Sequence, residues 1–282
     1  MASKMEVNIT DDFNLQTIAN SGQVFRVKKN DNDIYRFIIR NHILYINEQS
    51  SGRYNVSCSN DEWHSIWEPY FDLNRNYKSL RESLSSKDGI LHRASNCGQG
   101  IRILKQDPWE TLISFILSQR KSIKATKTSL ESLASKFGKP IITPYETIHL
   151  FPSAIEISKA SPKELEECKL GYRLPYIQDA AHKVMSDEVN LNFIEKYSDI
   201  NLVNTLMQIK GVGCKIANCV GLFSYGRTGL IPTDTWIKKV IDKYYGGNNP
   251  LTSYGENAGI MQQYIFYYAL NHKKEFRKCR MK

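Results

Sequence analysis

Close cysteine pairs are missing from this 282-residue chain. Its six cysteines, Cys58, Cys97, Cys168, Cys214, Cys219 and Cys279, form no CxxC pair, and no histidine cluster sits beside them. Tetrahedral zinc sites and iron–sulfur clusters need closely spaced thiolates, so reduced thiols and no metal site are expected. Long apolar runs are missing too. The densest, residues 112–117, already contains Ser114 and is far short of the roughly 20 residues a membrane helix needs. The opening MASKMEVNITDD holds no apolar run, so no secretory leader is expected. Internal repeats, low-complexity tracts and long linkers are absent as well, which excludes solenoids and strings of tethered modules.

What the chain does contain is 41% hydrophobic and 11% aromatic residues, enough for a sizeable core and incompatible with disorder. At roughly 150 residues per domain, about two domains are expected. Lys and Arg number 38 against 29 Asp and Glu, a net charge of +9. Such an excess serves solubility or an acidic partner. The stretch at 272–282, HKKEFRKCRMK, concentrates six Lys/Arg with one Glu. It reads as a solvated end or as a segment laid along phosphates.

The fold class expected is α+β. Residues 1–105 read as a small antiparallel β-sheet domain. Gln23–Val27 alternates, Asp33–Ile39 and His42–Ile46 are β-branched and aromatic around a turn at Asn41, and Arg53–Val56 adds a further strand. Trp63, Trp67 and Phe71 recur every four residues, the spacing of a short helix packed on that sheet. Residues 106–282 read as helical. Asp107-Pro108 is a capping side chain followed by a first-turn proline, and the run after it is apolar on most faces. Lys121–Phe137 comes next as a second helix, stopped by Gly138 and Pro140.

Residues 201–245 carry the chemistry. Asn201–Ile209 and Cys214–Tyr225 read as helices separated by Gly211, Val212 and Gly213, a tight turn with the hairpin spanning about 201–225. Backbone amides there and at the second helix's N-terminus suit a phosphate; an ordinary helix–helix turn is the alternative. Lys215 lies in that helix's first turn, whose positive end disfavours a protonated amine and so favours a nucleophile. Cys219, at i+4, shares its face. Asp234 precedes the helical run at Trp236–Ile241 and suits an N-cap, a place from which a carboxylate can also face an active site.

Taken together, LMQIKGVGCKIANCVGLFSYGRTGLIPTDTW resembles the helix-hairpin-helix, Gly/Pro-rich loop and aspartate signature of the HhH-GPD DNA glycosylases. Lys215 and Asp234 lie 19 residues apart, as the catalytic pair does in that family, and the lysine marks its bifunctional members. Further segments resemble 8-oxoguanine DNA glycosylase/lyase: NLQTIANSGQVFR, DPWETLISFILSQ, LGYRLPYI and AGIMQQYIFYYAL. The resemblance implies that the Gly22 carbonyl accepts the N7–H of 8-oxoguanine. It implies that Gln262 reads the base edge, that Phe266 stacks on the base and that Cys219 lines the opposite wall. Tyr172 would wedge the duplex and Arg173 would contact the orphaned base. Gln262 and Phe266 stand at i, i+4, so one helix face offers an amide and a ring, as an extruded purine requires.

The chain departs from the family at three points. The loop 118–123 carries Arg120 and Lys121 where relatives have an asparagine run. Ala125 replaces a second arginine reader, and Trp236 replaces a histidine near the backbone phosphate. Relaxed selectivity for the base opposite the lesion is therefore expected. The resemblance implies a glycosylase with AP (β-elimination) lyase activity in base excision repair, acting by base flipping. The expected partner is double-stranded DNA containing oxidised guanine, with no membrane and the protein a monomer. No cofactor is expected, with a structural cation at the hairpin carbonyls left open. The expected location is the cytoplasm or nucleoid of a prokaryote, or the nucleus of a eukaryote. Two other readings stand beside this one: a helix-hairpin-helix glycosylase for another damaged base, and a non-catalytic DNA-binding hairpin protein.

Overall fold

The computed structural model describes residues 5–84 and 88–277, so the end of the basic stretch, from 278 on, lies outside the described residues. Five antiparallel strands form one sheet, β1 (Met5–Asn8), β2 (Lys28–Lys29), β3 (Tyr35–Ile39), β4 (His42–Ser50) and β5 (Arg53–Val56), in the order β1-β5-β4-β3-β2. The β3–β4 hairpin closes with Ile39 opposite His42, and Arg40 takes φ +54° in its turn. Gln23–Val27 is not a strand, because its hydrogen-bonding groups are claimed from elsewhere. The Gln23 side chain donates to the Arg102 carbonyl and accepts from the Leu104 amide, and the Gln23 backbone carbonyl accepts from the Gln106 side chain.

One face of the sheet packs on an irregular helix across 60–70, with a π turn at Trp63–Trp67. Trp63, Trp67 and Phe71 are all buried there with Phe37 and Tyr54, and Phe37 meets Phe71 edge-on at 5.1 Å. Arg102, fully buried, fastens the sheet to the helical region. It donates to Asp11 and to the carbonyls of Asp12, Phe71 and Arg75, and its guanidinium stacks on Tyr77 at 4.1 Å.

The helices that frame the site are α1 (Leu15–Asn20), α2 (Gly89–Cys97), α3 (Pro108–Ser118), α4 (Ile123–Phe137), α5 (Leu174–Met185), α6 (Asp199–Leu206), α7 (Cys214–Tyr225), α8 (Thr235–Tyr245) and α9 (Ala258–Asn271). Their starts reflect local chemistry. The Asp107 carboxylate caps α3 ahead of Pro108 and Ser122 caps α4, so α4 starts at Ile123 rather than at Lys121. The left-handed Gly226 ends α7 at φ +64°. A helical start at Asn201 is corrected to Asp199, because Ser198 supplies the cap. Tyr77, Ile90, Leu91 and Ala94, which precede the helical region in the chain, sit in the larger helical core, with α2 against α9. Among the described residues no helix is long and apolar enough to cross a membrane.

Candidate active site

The hairpin is built from α6, the turn at 211–213 and α7. Gly211 requires glycine twice over, because its φ is +78° and a Cβ would lie 2.4 Å from the Tyr176 ring. Gly213 differs: its φ is ordinary, it is exposed, and a Cβ there would meet nothing within 4 Å. The Val212 side chain is buried and its amide turns inward to the Ile209 carbonyl, which corrects the expectation that the whole turn presents its amides. The first intrahelical bonds of α7 begin at Ile216 and Ala217, both donating to the Gly213 carbonyl. The amides of Gly213, Cys214 and Lys215 are thus the groups left at the positive end of α7 for an anion.

One helical turn into α7, the face bearing Lys215 and Cys219 turns toward Asp234 at the start of α8. These residues join Gly22, Phe115, Phe223, Pro232, Gln262, Gln263 and Phe266 in one pocket. The Lys215 ammonium lies over the Phe115 ring at 5.2 Å, and Phe115 stacks on Phe223 at 5.5 Å. Asp234 caps α8 through a single oxygen: Oδ1 accepts from the amides of Trp236 and Ile237, each at 2.9 Å. Oδ2 is therefore the oxygen available to the pocket. Burial raises the Asp234 pKa above the ordinary carboxylate value, opposed by those two amides and by Lys215. Burial likewise pushes the Cys219 thiol up, opposed by its interaction with Lys215. The thiol stays neutral and serves as a wall.

Opposite Lys215 stands α9. Gln262 is 3% exposed, and its Oε1 has no hydrogen-bond partner. A buried amide oxygen left unpaired costs about 1–3 kcal/mol, a cost that a donor on an incoming ligand would remove. Gly22 completes the wall with φ +80°; a Cβ there would lie 2.7 Å from Phe266. Its loop is pinned by Gln263, whose side-chain amide donates to the Ser21 carbonyl at 2.7 Å. The pocket encloses about 40 Å³, room for roughly three waters and too little for a purine. Outside, Gly22, Phe115, Lys215, Asp234 and Phe266 also border a groove of about 790 Å³ that takes in Arg120, Lys124, Trp236, Lys238 and Lys273.

The expected DNA-reading residues stand apart from the pocket and differ in state. Arg120 is exposed in the left-handed region, φ +47°. Tyr172 is 51% exposed, and Trp236 lines the groove with the Lys239 ammonium over its ring at 4.9 Å. Arg173, by contrast, is only 6% exposed. Its guanidinium donates to the carbonyls of Gln119 and Leu170, stacks on Tyr172 at 4.3 Å, and leaves Nε unpartnered. Lys121 is no free reader either. Its ammonium donates to Ser129 at 2.6 Å and to the Lys169 carbonyl at 2.8 Å. Ala125 lies in the first turn of α4 and carries no donor. Among the described residues no group of three or more His, Cys, Asp or Glu is arranged to hold a metal.

Phe115, Phe223 and Gln263 belong to the pocket, yet sequence reasoning does not single them out. An aromatic in an apolar helix looks like core; that Phe115 floors a pocket is visible only once α3 meets α7. Gln263 carries a signal, since two adjacent glutamines in an otherwise apolar helix cannot both face solvent.

Residues 5–112 match the family described as "8-oxoguanine DNA glycosylase, N-terminal domain", and residues 113–258 match the HhH-GPD superfamily of base excision DNA repair proteins. The solved structure of MBOgg1 in complex with a low-affinity DNA ligand is 36% identical, covers 97% of each chain and superposes with a TM-score of 0.91. The Clostridium acetobutylicum 8-oxoguanine glycosylase/lyase, solved with duplex DNA containing cytosine opposite 8-oxoG, is 30% identical, covers 97% of this chain and 100% of that one, and has a TM-score of 0.87. An N-glycosylase/DNA lyase of Saccharomyces cerevisiae is 36% identical over 162 residues, 52% of this chain; the match spans 42% of the yeast protein, less than half its length. The chain belongs to the HhH-GPD superfamily of base excision DNA repair proteins, in its 8-oxoguanine DNA glycosylase branch.

Proposed function

We propose that the protein excises 8-oxoguanine from duplex DNA and cleaves the resulting abasic strand. The observation that carries this reading is the pairing, across one pocket, of Lys215 and Asp234 with the unpartnered Gln262 oxygen and the Gly22 loop. A flipped base would stack between Phe266 and the Cys219 wall, with its edge on Gln262 and its N7–H on the Gly22 carbonyl. The Lys215 amine attacks the sugar C1′ with its lone pair as the bond from C1′ to the base breaks, and the base leaves with that electron pair and takes up the proton that the alkylated amine gives up. Asp234 stabilises the positive charge that develops on the sugar. Ring opening then gives a Schiff base; loss of a C2′ proton expels the 3′ phosphate. The amine acts as both nucleophile and electron sink, so this chemistry calls on no cofactor.

Residues 1–105 would supply the Gly22 loop and 106–282 the nucleophile, the hairpin and the wedge loops, the protein acting as a monomer on DNA. Arg120 and Tyr172 would enter the duplex. Arg173 would turn out of its own carbonyls to meet the orphaned base, with Trp236 beside the backbone. A lesion panel tests the reading. Release of 8-oxoguanine should exceed release of alkylated purines and oxidised pyrimidines by at least an order of magnitude. Faster release of any of those bases would assign the pocket to a different lesion, and binding without turnover would make the hairpin a docking module.

A further inference from the structure

Gln119 occupies a position to which no chemistry has been attached, between the end of α3 and the exposed Arg120. Its side-chain amide donates to the Gly211 carbonyl in the hairpin at 3.2 Å. Its backbone carbonyl accepts from the Tyr172 hydroxyl at 3.3 Å and from the Arg173 guanidinium. Around it the same three segments are locked in other ways. Lys121 bridges to the Lys169 carbonyl just before Tyr172. Tyr172 meets Tyr176 edge-on at 6.1 Å, and Tyr176 is the residue that forbids a side chain at Gly211. One residue thus contacts the hairpin turn with its side chain and both Tyr172 and Arg173 with its carbonyl.

Resting on the glycosylase reading above, we infer that Gln119 is a positioning residue that sets Arg173 and Tyr172 in register with the hairpin and so governs discrimination of the base opposite the lesion. The tie to Gly211 fixes where the Gln119 peptide stands relative to the DNA backbone that the hairpin holds. That peptide is the fixed point from which Arg173 leaves to reach a base. A guanidinium that starts from a fixed acceptor and returns to it discriminates by geometry. One starting from a mobile loop discriminates less, because a bidentate fork works only when pre-oriented.

Two variants remove the tie at nearly constant size. Gln119→Met keeps the length but has no donor. Gln119→Glu keeps the shape and sets a carboxylate against a carbonyl, so it should be the more affected. Single-turnover excision opposite cytosine should fall roughly threefold to tenfold in Gln119→Met, the range one neutral hydrogen bond covers, and excision opposite adenine should fall less. The ratio of the two rates comes from one preparation, so an unfolded fraction cancels from it. Borohydride trapping on a single-stranded abasic oligonucleotide, which needs Lys215 but no opposite base, should stay within about twofold of wild type. An unchanged cytosine-to-adenine ratio, or equal losses on every substrate including the single strand, would overturn the inference. Should the wild-type protein release no 8-oxoguanine, the glycosylase reading itself fails. Gln119 can then still be judged by trapping on abasic duplexes with cytosine or adenine opposite.

Discussion

The pocket and the duplex-reading edge lie side by side and are prepared in opposite ways. In the pocket, the groups that would do chemistry already face one another. Lys215 rests on Phe115, Asp234 is locked by two amides, and Gln263 pins the Gly22 loop. At the edge, the groups that would read DNA are spent on the protein itself: Arg173 on two carbonyls, Lys121 on Ser129 and Lys169. The contrast reflects the task of each. Electrostatic stabilisation works only when it needs no reorganisation at the moment of reaction. A reader of an orphaned base has nothing to contact until the base opposite has left the stack, and a buried guanidinium must have acceptors meanwhile.

The sharpest way to break this comparison is at Asp234. Asp234→Asn keeps an oxygen able to cap α8 but removes the charge, so excision should fall by about two to three orders of magnitude, as when one pre-oriented electrostatic partner is lost. Stability should move the other way. The folded pKa of Asp234 is raised above its ordinary 3.8, so the wild type binds an extra proton on folding in that window and loses stability as pH rises through it. At neutral pH the variant should melt at or above the wild-type temperature. A variant that melts well below wild type would mean that the carboxylate is structural.

A smaller effect separates the two glycines of the hairpin. Gly213→Asp places a carboxylate in open space, where a Cβ touches nothing. Its melting temperature should match wild type while affinity for damaged and undamaged duplex falls together, by about tenfold at low salt. Gly211→Ala should instead destabilise the fold, against Tyr176. Unchanged DNA affinity in Gly213→Asp would return the hairpin to a purely structural role.

Smallest of all should be the spread of wild-type excision rates with cytosine, adenine, guanine or thymine opposite the lesion. With Ala125 donor-free, Arg173 is the one arginine left of the pair that the family resemblance calls for, and the four rates should fall within about tenfold, less than a pair of bidentate readers would impose. A preference for cytosine well beyond that would show that Arg120 has taken over the missing contact.

Legibility in the sequence divides along the same line. α7 is legible to the residue, because Gly213 and Gly226 bound it, and the Lys215–Asp234 pair rides on helix starts that local chemistry defines. The state of Arg173 is not legible: its acceptor, the Gln119 carbonyl, lies 54 residues away. β1 escapes notice for a like reason, since its four residues pair with β5, nearly fifty positions on. Gln23–Val27 alternates like a strand, yet groups from 102–106 take the bonds of Gln23. Segments held by their own caps and periodicity declare themselves; segments held by distant polar groups do not.

The central claim is that a lysine in this pocket carries the reaction, and borohydride trapping with subsequent peptide mapping tests it most directly. Incubated with an 8-oxoguanine duplex and borohydride, the wild-type protein should become covalently joined to the strand through Lys215, and Lys215→Gln should show neither the adduct nor base release while still binding DNA. An adduct mapped to another lysine, or base release by the wild type with no adduct, would contradict the account.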